Sequence, residues 1–215
     1  MTTGPNDADR KAARPRNSRA TKELLLAAAT AEFAQYGLAG ARIDRIAERA
    51  GANKRLLYVY FGDKDQLFEA VLQHEIGRLF EEASLAGGDL VAFAGNRFDY
   101  MLAHPDTARL AAWRRFERDR HTDAEIDSYR VKVDAVAAAQ REGRTDASLP
   151  AIDLFAMVLR ITESWLDAPP ALQALTGTDP RSAERLAEHR AALIEAVRRI
   201  TAPRTGPEGD DAPRR

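Results

Sequence analysis

Between residues 41 and 64 the chain reads Ala-Arg-Ile-Asp-Arg-Ile-Ala-Glu-Arg-Ala-Gly-Ala-Asn-Lys-Arg-Leu-Leu-Tyr-Val-Tyr-Phe-Gly-Asp-Lys, a stretch that leaves little choice of local fold. Ile43, Ile46, Ala47 and Ala50 recur at i, i+3, i+4 and i+7, which is one face of a short helix. Gly51 ends that helix, because a glycine takes the positive φ that a helix C-terminus entering a sharp turn requires. Asn53 supplies an N-cap, so a second helix starts near Lys54. On it Leu57 and Phe61 share one face and Arg55 and Val59 point the opposite way, with Lys54, Leu56, Tyr58 and Tyr60 on the flanks. Two helices joined by a tight glycine turn, the second cationic at its start and apolar at its end, make a helix-turn-helix.

The second helix, on the order of 10 Å long, fits a major groove roughly 12 Å wide. The N-terminal residues of such a helix meet base edges, and here those positions hold Lys54 and Arg55. The segments Ile46-Ala47, Ala50-Gly51 and Leu57-Tyr58-Val59-Tyr60-Phe61, with Lys64, Leu67 downstream and Leu25, Ala28, Ala29, Phe33 and Gly37 upstream, resemble the TetR family of bacterial transcriptional regulators over residues 21 to 70. The chain departs from the family pattern at Arg55 and Leu56, where a glycine and then a hydroxyl residue are common. It departs again at Ala41 and Arg42, where a Ser or Thr usually caps the next helix and touches a phosphate. Arg42 replaces that contact with a charge-assisted one and leaves the cap to the backbone or to water. The resemblance implies that Lys64 binds a phosphate at the head of a connecting helix that transmits movement. It also implies a homodimer on a double-stranded operator, and a small-molecule inducer bound among the helices from 65 to 165. Inducer binding would favour a dimer whose reading heads are wrongly spaced for successive grooves.

A net charge of -1 argues against a nucleic-acid partner until its distribution is counted. Residues 1 to 64 carry 12 Lys and Arg against 7 Asp and Glu, while the remainder carries 20 against 26. A basic segment that also holds the motif is an electrostatic footprint for phosphates. The competing explanation is a chance excess in a polar tail, since Arg10, Lys11, Arg14 and Arg16 supply four of those cations. The 215 residues suffice for one or two domains with a sizeable core. Cysteine is absent, which removes disulfides and thiolate metal sites and suits a reducing compartment. No run approaches the roughly 18 apolar residues of a membrane span, and no apolar signal segment opens the chain. A cytoplasmic protein with no membrane partner is expected.

In chain order, residues 1 to 18 read as a disordered basic arm, either reaching into a minor groove or merely solvated. A helix from 21 to 36, ended by Gly37, buttresses the motif and completes a DNA-binding domain over 19 to 65. Arg45 and Glu48 read as a solvated face. After the Gly62-Asp63 turn, Asp63 caps a long helix carrying Leu67, Phe68, Val71, Leu72, Ile76, Leu79 and Phe80 at helical spacing. Lys64 in its first turn is disfavoured by the helix dipole unless an anion sits nearby. Further helices are expected over 89 to 102, 107 to 120, 123 to 141, 151 to 166 and 181 to 200, and no segment has strand periodicity. The segment 151 to 166 is apolar around nearly its whole circumference, so it is buried on two sides. With the stripe of the last helix it offers a four-helix interface to a second copy through Leu154, Val158, Ile161, Leu186, Leu193 and Val197. The alternative is an ordinary core helix with an amphipathic cover. Phe98, Trp113 and Phe116 are core residues or the lining of a ligand pocket. Residues 203 to 215 read as a disordered tail.

His74, His104, His121 and His189 fall at no metal-ligand spacing, and neither a phosphate-cradling loop nor a nucleophile elbow is present. No metal, cofactor or catalytic residue is expected. The chain therefore reads as all-α, with an N-terminal three-helix helix-turn-helix domain joined by a long helix to a ligand-binding and dimerisation domain over 66 to 202. It is expected to be a repressor, not an enzyme. Arg42, Lys54, Arg55, Tyr58, Tyr60 and Lys64 would face DNA. Two rivals stay open: an all-helical ligand-binding protein or enzyme in which the motif is only structural, and a regulator without an inducer.

Overall fold

The computed structural model describes residues 7–117 and 121–204, and the side chains of 18–114 and 121–204. Among the described residues every regular element is helical. The chain divides into two compact units, Met1–Leu79 with Ala103–Arg120, and Phe80–Leu102 with His121–Arg215.

In the first unit, α1 spans Asp7–Gly40 and leaves helical geometry at Gly37 (φ 65°, ψ -176°), the expected terminator. Its start lies well before Thr21, so the part of the expected arm from Asp7 onward is helical; residues 1–6 lie outside the described residues. Ala8, Lys11, Ala12, Ala13 and Arg14 are strong helix formers without apolar periodicity, a case where propensity and hydrophobic pattern diverge. Next come α2 (Ile43–Arg49), α3 (Lys54–Phe61) and α4 (Lys64–Glu82), the last passing into the second unit after Leu79. The core joins Leu25, Ala28, Ala29 and Phe33 of α1 to Ile46, Leu57, Leu67, Phe68 and Val71, all almost fully buried. The Phe33 and Phe68 rings meet edge to face at 4.9 Å.

The division falls inside α4, not at 65/66 where the sequence reading ends the DNA-binding domain, and α6 (Pro105–Glu117) returns to the first unit. Two polar contacts hold it there. Glu75 accepts from Thr30 Oγ1 at 3.4 Å and from Thr107 Oγ1 at 2.7 Å. The Trp113 indole N–H donates to the Ala34 carbonyl at 3.2 Å. Pro105 opens α6, two residues before the expected start at 107, because a proline at the first helical position loses no hydrogen bond.

The second unit contains a 3-10 turn at Ala86–Gly88, α5 (Leu90–Ala103, all but its last residue), α7 (Asp123–Arg141), α8 (Ala151–Ile161), a short α9 (Pro170–Ala174) and α10 (Ala183–Thr201). Asp89 caps α5 through the amides of Val91 and Ala92. Thr122 and Glu125 form a reciprocal capping box on α7. Helix α8 stops at Ile161, short of the expected 166. There the Thr162 hydroxyl donates to the Leu159 carbonyl at 2.7 Å, and the backbone tightens to three-residue hydrogen bonds from Glu163 and Ser164. Pro203 and Arg204 follow α10, and the rest of the expected tail, 205 to 215, lies outside the described residues.

Candidate nucleic-acid interface

Helices α2 and α3 form the expected hairpin. Gly51 has φ 60° in the turn, and the Asn53 side chain accepts from the Arg55 amide at 2.8 Å. Leu57 is 2% exposed and anchors α3. Gly62 follows at φ 80°, where a Cβ would lie 1.8 Å from Gln66 Oε1, so a side chain cannot stand there unless Gln66 moves. Gln66 is held by Asp63: the Asp63 carboxylate accepts from the Gln66 amide at 2.8 Å, and Gln66 Oε1 accepts from the Asp63 amide at 3.0 Å. This is a capping box in which the expected cap residue orients the head of α4.

The structure sorts the six expected DNA-facing residues into two groups. Arg42, Arg55 and Tyr58 are exposed, and the side chains of Arg42 and Arg55 make no hydrogen bond or ion pair among the described residues. Val59 joins them at 66% exposure. The other three have partners within the protein. Lys54 Nζ pairs with Asp44 Oδ1 of α2 at 2.7 Å, and the hydrogen bond and charge of each hold the lysine above and the carboxyl below its ordinary pKa range. Lys64 Nζ donates to the Ala41 carbonyl at 3.4 Å. Tyr60 shares a hydrogen bond of 2.9 Å with Ser18 of α1, so its phenol is directed at α1.

No side chain caps α2, but a carboxylate from another helix holds its N-cap residue. Glu32 of α1, 1% exposed, accepts the Arg42 amide at 2.9 Å and Arg45 Nε at 2.7 Å. Arg45 also donates to the Gly40 carbonyl and lies 4.2 Å from the Tyr36 ring centroid, so it is a clamp where the sequence suggested a solvated face. Burial presses the Glu32 carboxyl upward, but the hydrogen bonds from Arg45 and the Arg42 amide, with the charges of Arg45 and Arg49, outweigh it and leave its pKa below the ordinary range. The sequence signal for Glu32 was an acid seven residues after Leu25, on the apolar face of α1.

The expected ligand-pocket and interface residues are dispersed. Phe98 is fully buried in the second unit, with its ring 5.5 Å from that of His189. Trp113 is spent on Ala34 in the first unit, and the Phe116 side chain lies outside the described residues. A cavity of about 360 Å³ is lined by Thr176, Thr178, Ser182, Glu184, Arg185 and Glu188, none of them expected. Leu154, Val158, Leu193 and Val197 are 2% exposed or less and belong to the core of their own unit, while Ile161 and Leu186 are half-buried. The large apolar residues α8 leaves exposed are Ile152 and Met157, and α10 leaves Ile200. Four of the six expected interface residues are thus taken up by the core of their own unit, and period alone marks an apolar stripe without saying which of its residues meet that core.

Two family models match the chain: bacterial regulatory proteins of the tetR family over residues 25–71, and the tetracyclin repressor-like C-terminal domain over residues 89–199. The HTH-type transcriptional repressor SCO4008 of Streptomyces coelicolor is 34% identical over 189 residues, covering 86% of this chain and 97% of its own. The HTH-type transcriptional repressor Rv3405c of Mycobacterium tuberculosis is 32% identical over 206 residues, covering 94% and 100%. The crystal structure of SCO4942 from Streptomyces coelicolor superposes with a TM-score of 0.74 at 35% identity, covering 86% of this chain and 99% of that one.

Proposed function

The chain belongs to the TetR family and is a DNA-binding transcriptional regulator, and on that premise we propose that it is a homodimeric repressor that reads a palindromic operator through α3 and is released by a small molecule. The observation that carries the residue assignment is the unengaged Arg55 on the exposed first turn of α3. A guanidinium without an internal partner is available for the bidentate bond to a guanine edge, worth roughly 1 to 3 kcal/mol of discrimination. Val59, one helical turn further on, presents an apolar surface of the kind that meets a thymine methyl. Arg42 and Tyr58 reach the backbone, and Lys64, beside the loop that carries Arg42, adds a phosphate contact. Lys54 reaches DNA by exchanging Asp44 for a phosphate or base. Tyr60 positions α3 against α1 and is not assigned a DNA contact.

The dimer is assigned to the exposed apolar side of α8 and α10, with Ile152, Met157 and Ile200 in place of the core residues of the same helices. An inducer held in the second unit favours the dimer state with lower operator affinity. The protein works in the cytoplasm and carries no catalytic step. Arg55→Ala tests the assignment: specific operator affinity falls at least tenfold while the protein stays folded and dimeric. Unchanged affinity and unchanged base preference would remove α3 as the reader.

A further inference from the structure

Lys132 of α7 is 8% exposed, and among the described residues its ammonium forms no ion pair. It donates to Ser128 Oγ at 3.0 Å and lies 4.8 Å from the Phe80 ring centroid, both neutral partners. A buried carboxylate of the same unit is already taken. Glu163, 5% exposed, binds Arg97 at 2.5 Å and is paired with Arg160 as well. Arg97 is itself 5% exposed and is fixed further by Thr162 Oγ1 at 3.1 Å. Of the two buried cations among the described residues of this unit, Arg97 has a carboxylate partner and Lys132 has none, and the other buried carboxylate, Asp146, is engaged by Ser148. An unpaired buried charge is costly and calls for a counter-ion. Burial, and then the positive charge of Arg97, hold the Lys132 ammonium below the ordinary lysine range, as expected where no anion is present.

The surroundings give the rest of the chemistry. The Phe80 and Tyr129 rings are half-buried and meet edge to face at 5.1 Å. Behind Tyr129 lies Phe155 at 6.2 Å, and behind that Phe93 at 5.5 Å, both closed into the core. Lys132 thus sits beside the half-buried end of an aromatic row, with one of its three N–H bonds on a hydroxyl and its charge over a ring. We propose that this is a binding site for a small aromatic carboxylate, its carboxylate on Lys132 and its ring against Phe80 and Tyr129. The proposal rests on the reading of the protein as an inducer-released regulator and names the chemical class of that inducer.

The test uses the full-length protein without DNA. Benzoate, salicylate and 1-naphthoate are compared with benzamide, salicylamide and 1-naphthamide by thermal unfolding and calorimetry, because a ligand that binds only the native state raises Tm. At least one carboxylate is expected to raise Tm where its amide does not. Lys132→Met should weaken its binding at least tenfold, and Lys132→Arg should retain it within a few-fold. Without ligand, Lys132→Met should unfold at the same or a higher temperature than the parent, since it removes an uncompensated buried charge. Carboxylates that act no better than their amides, or that bind Lys132→Met as tightly as the parent, would overturn the site. So would a Lys132→Met protein of clearly lower Tm, which would make the ammonium a packing element. Operator release is measured separately. A carboxylate that binds through Lys132 but leaves operator affinity unchanged supports the site and removes only the inducer role.

Discussion

Glu32 orders the entry to the reading head from a distance in sequence that hides its role. Its carboxylate joins the α2 N-terminus to Arg45, and hydrogen bonds to a charged group are worth about 1.5 to 3 kcal/mol each. The half-solvated Arg45 places the net effect toward the lower end of that range. Glu32→Gln is expected to destabilise the protein by about 2 kcal/mol at neutral pH, read from urea unfolding, and to weaken operator binding by loosening α2. Because the folded-state pKa is lowered, this stability is fully present above the ordinary carboxyl value of 4.5 and is lost as pH falls through the lowered one. The gap between variant and parent should therefore close in acid, and a gap independent of pH between 7 and 3 would separate Glu32 from the clamp. Lys54 shows the opposite limit of legibility. Its place on α3 followed from spacing, but the ion pair with Asp44 is a relation between two helices that one-dimensional spacing does not contain.

At the scale of elements, turn chemistry was the readable part. Gly37, Gly51, Asn53, Asp63 and Asp89 all stop or start helices where their backbone preferences place them, because caps act over three or four residues. Faces were less readable where a helix has two apolar sides. On α8 and α10, Leu154, Val158, Leu193 and Val197 fill the unit's own core, Ile161 and Leu186 are half-buried, and Ile152, Met157 and Ile200 are the large apolar residues left exposed. The two roles separate by mutation. Met157→Glu should yield a folded protein that sediments as a monomer and loses operator affinity. Leu193→Glu, placing a charge at a site 2% exposed, should cost several kcal/mol and unfold the second unit. A dimeric Met157→Glu protein at micromolar concentration would move the interface elsewhere.

For the whole molecule, an all-helical chain with a basic motif-bearing segment was legible from periodicity and charge, while the partition was not. The first unit extends to Leu79 and recruits α6 through Trp113 and Thr107, contacts whose partners lie tens of residues away. The segregated charge predicts that DNA binding weakens steeply with added salt, since each phosphate contact releases a counter-ion. The central claim is that two copies of α3 read one symmetric site. Selection of bound sequences from random duplex DNA by the full-length protein tests it most directly. The expected result is an inverted repeat with half-sites spaced by about one helical turn or a multiple of it, each with a guanine whose preference relaxes in Arg55→Ala. Recovery of no enriched sequence, or of a single unrepeated site, would contradict it.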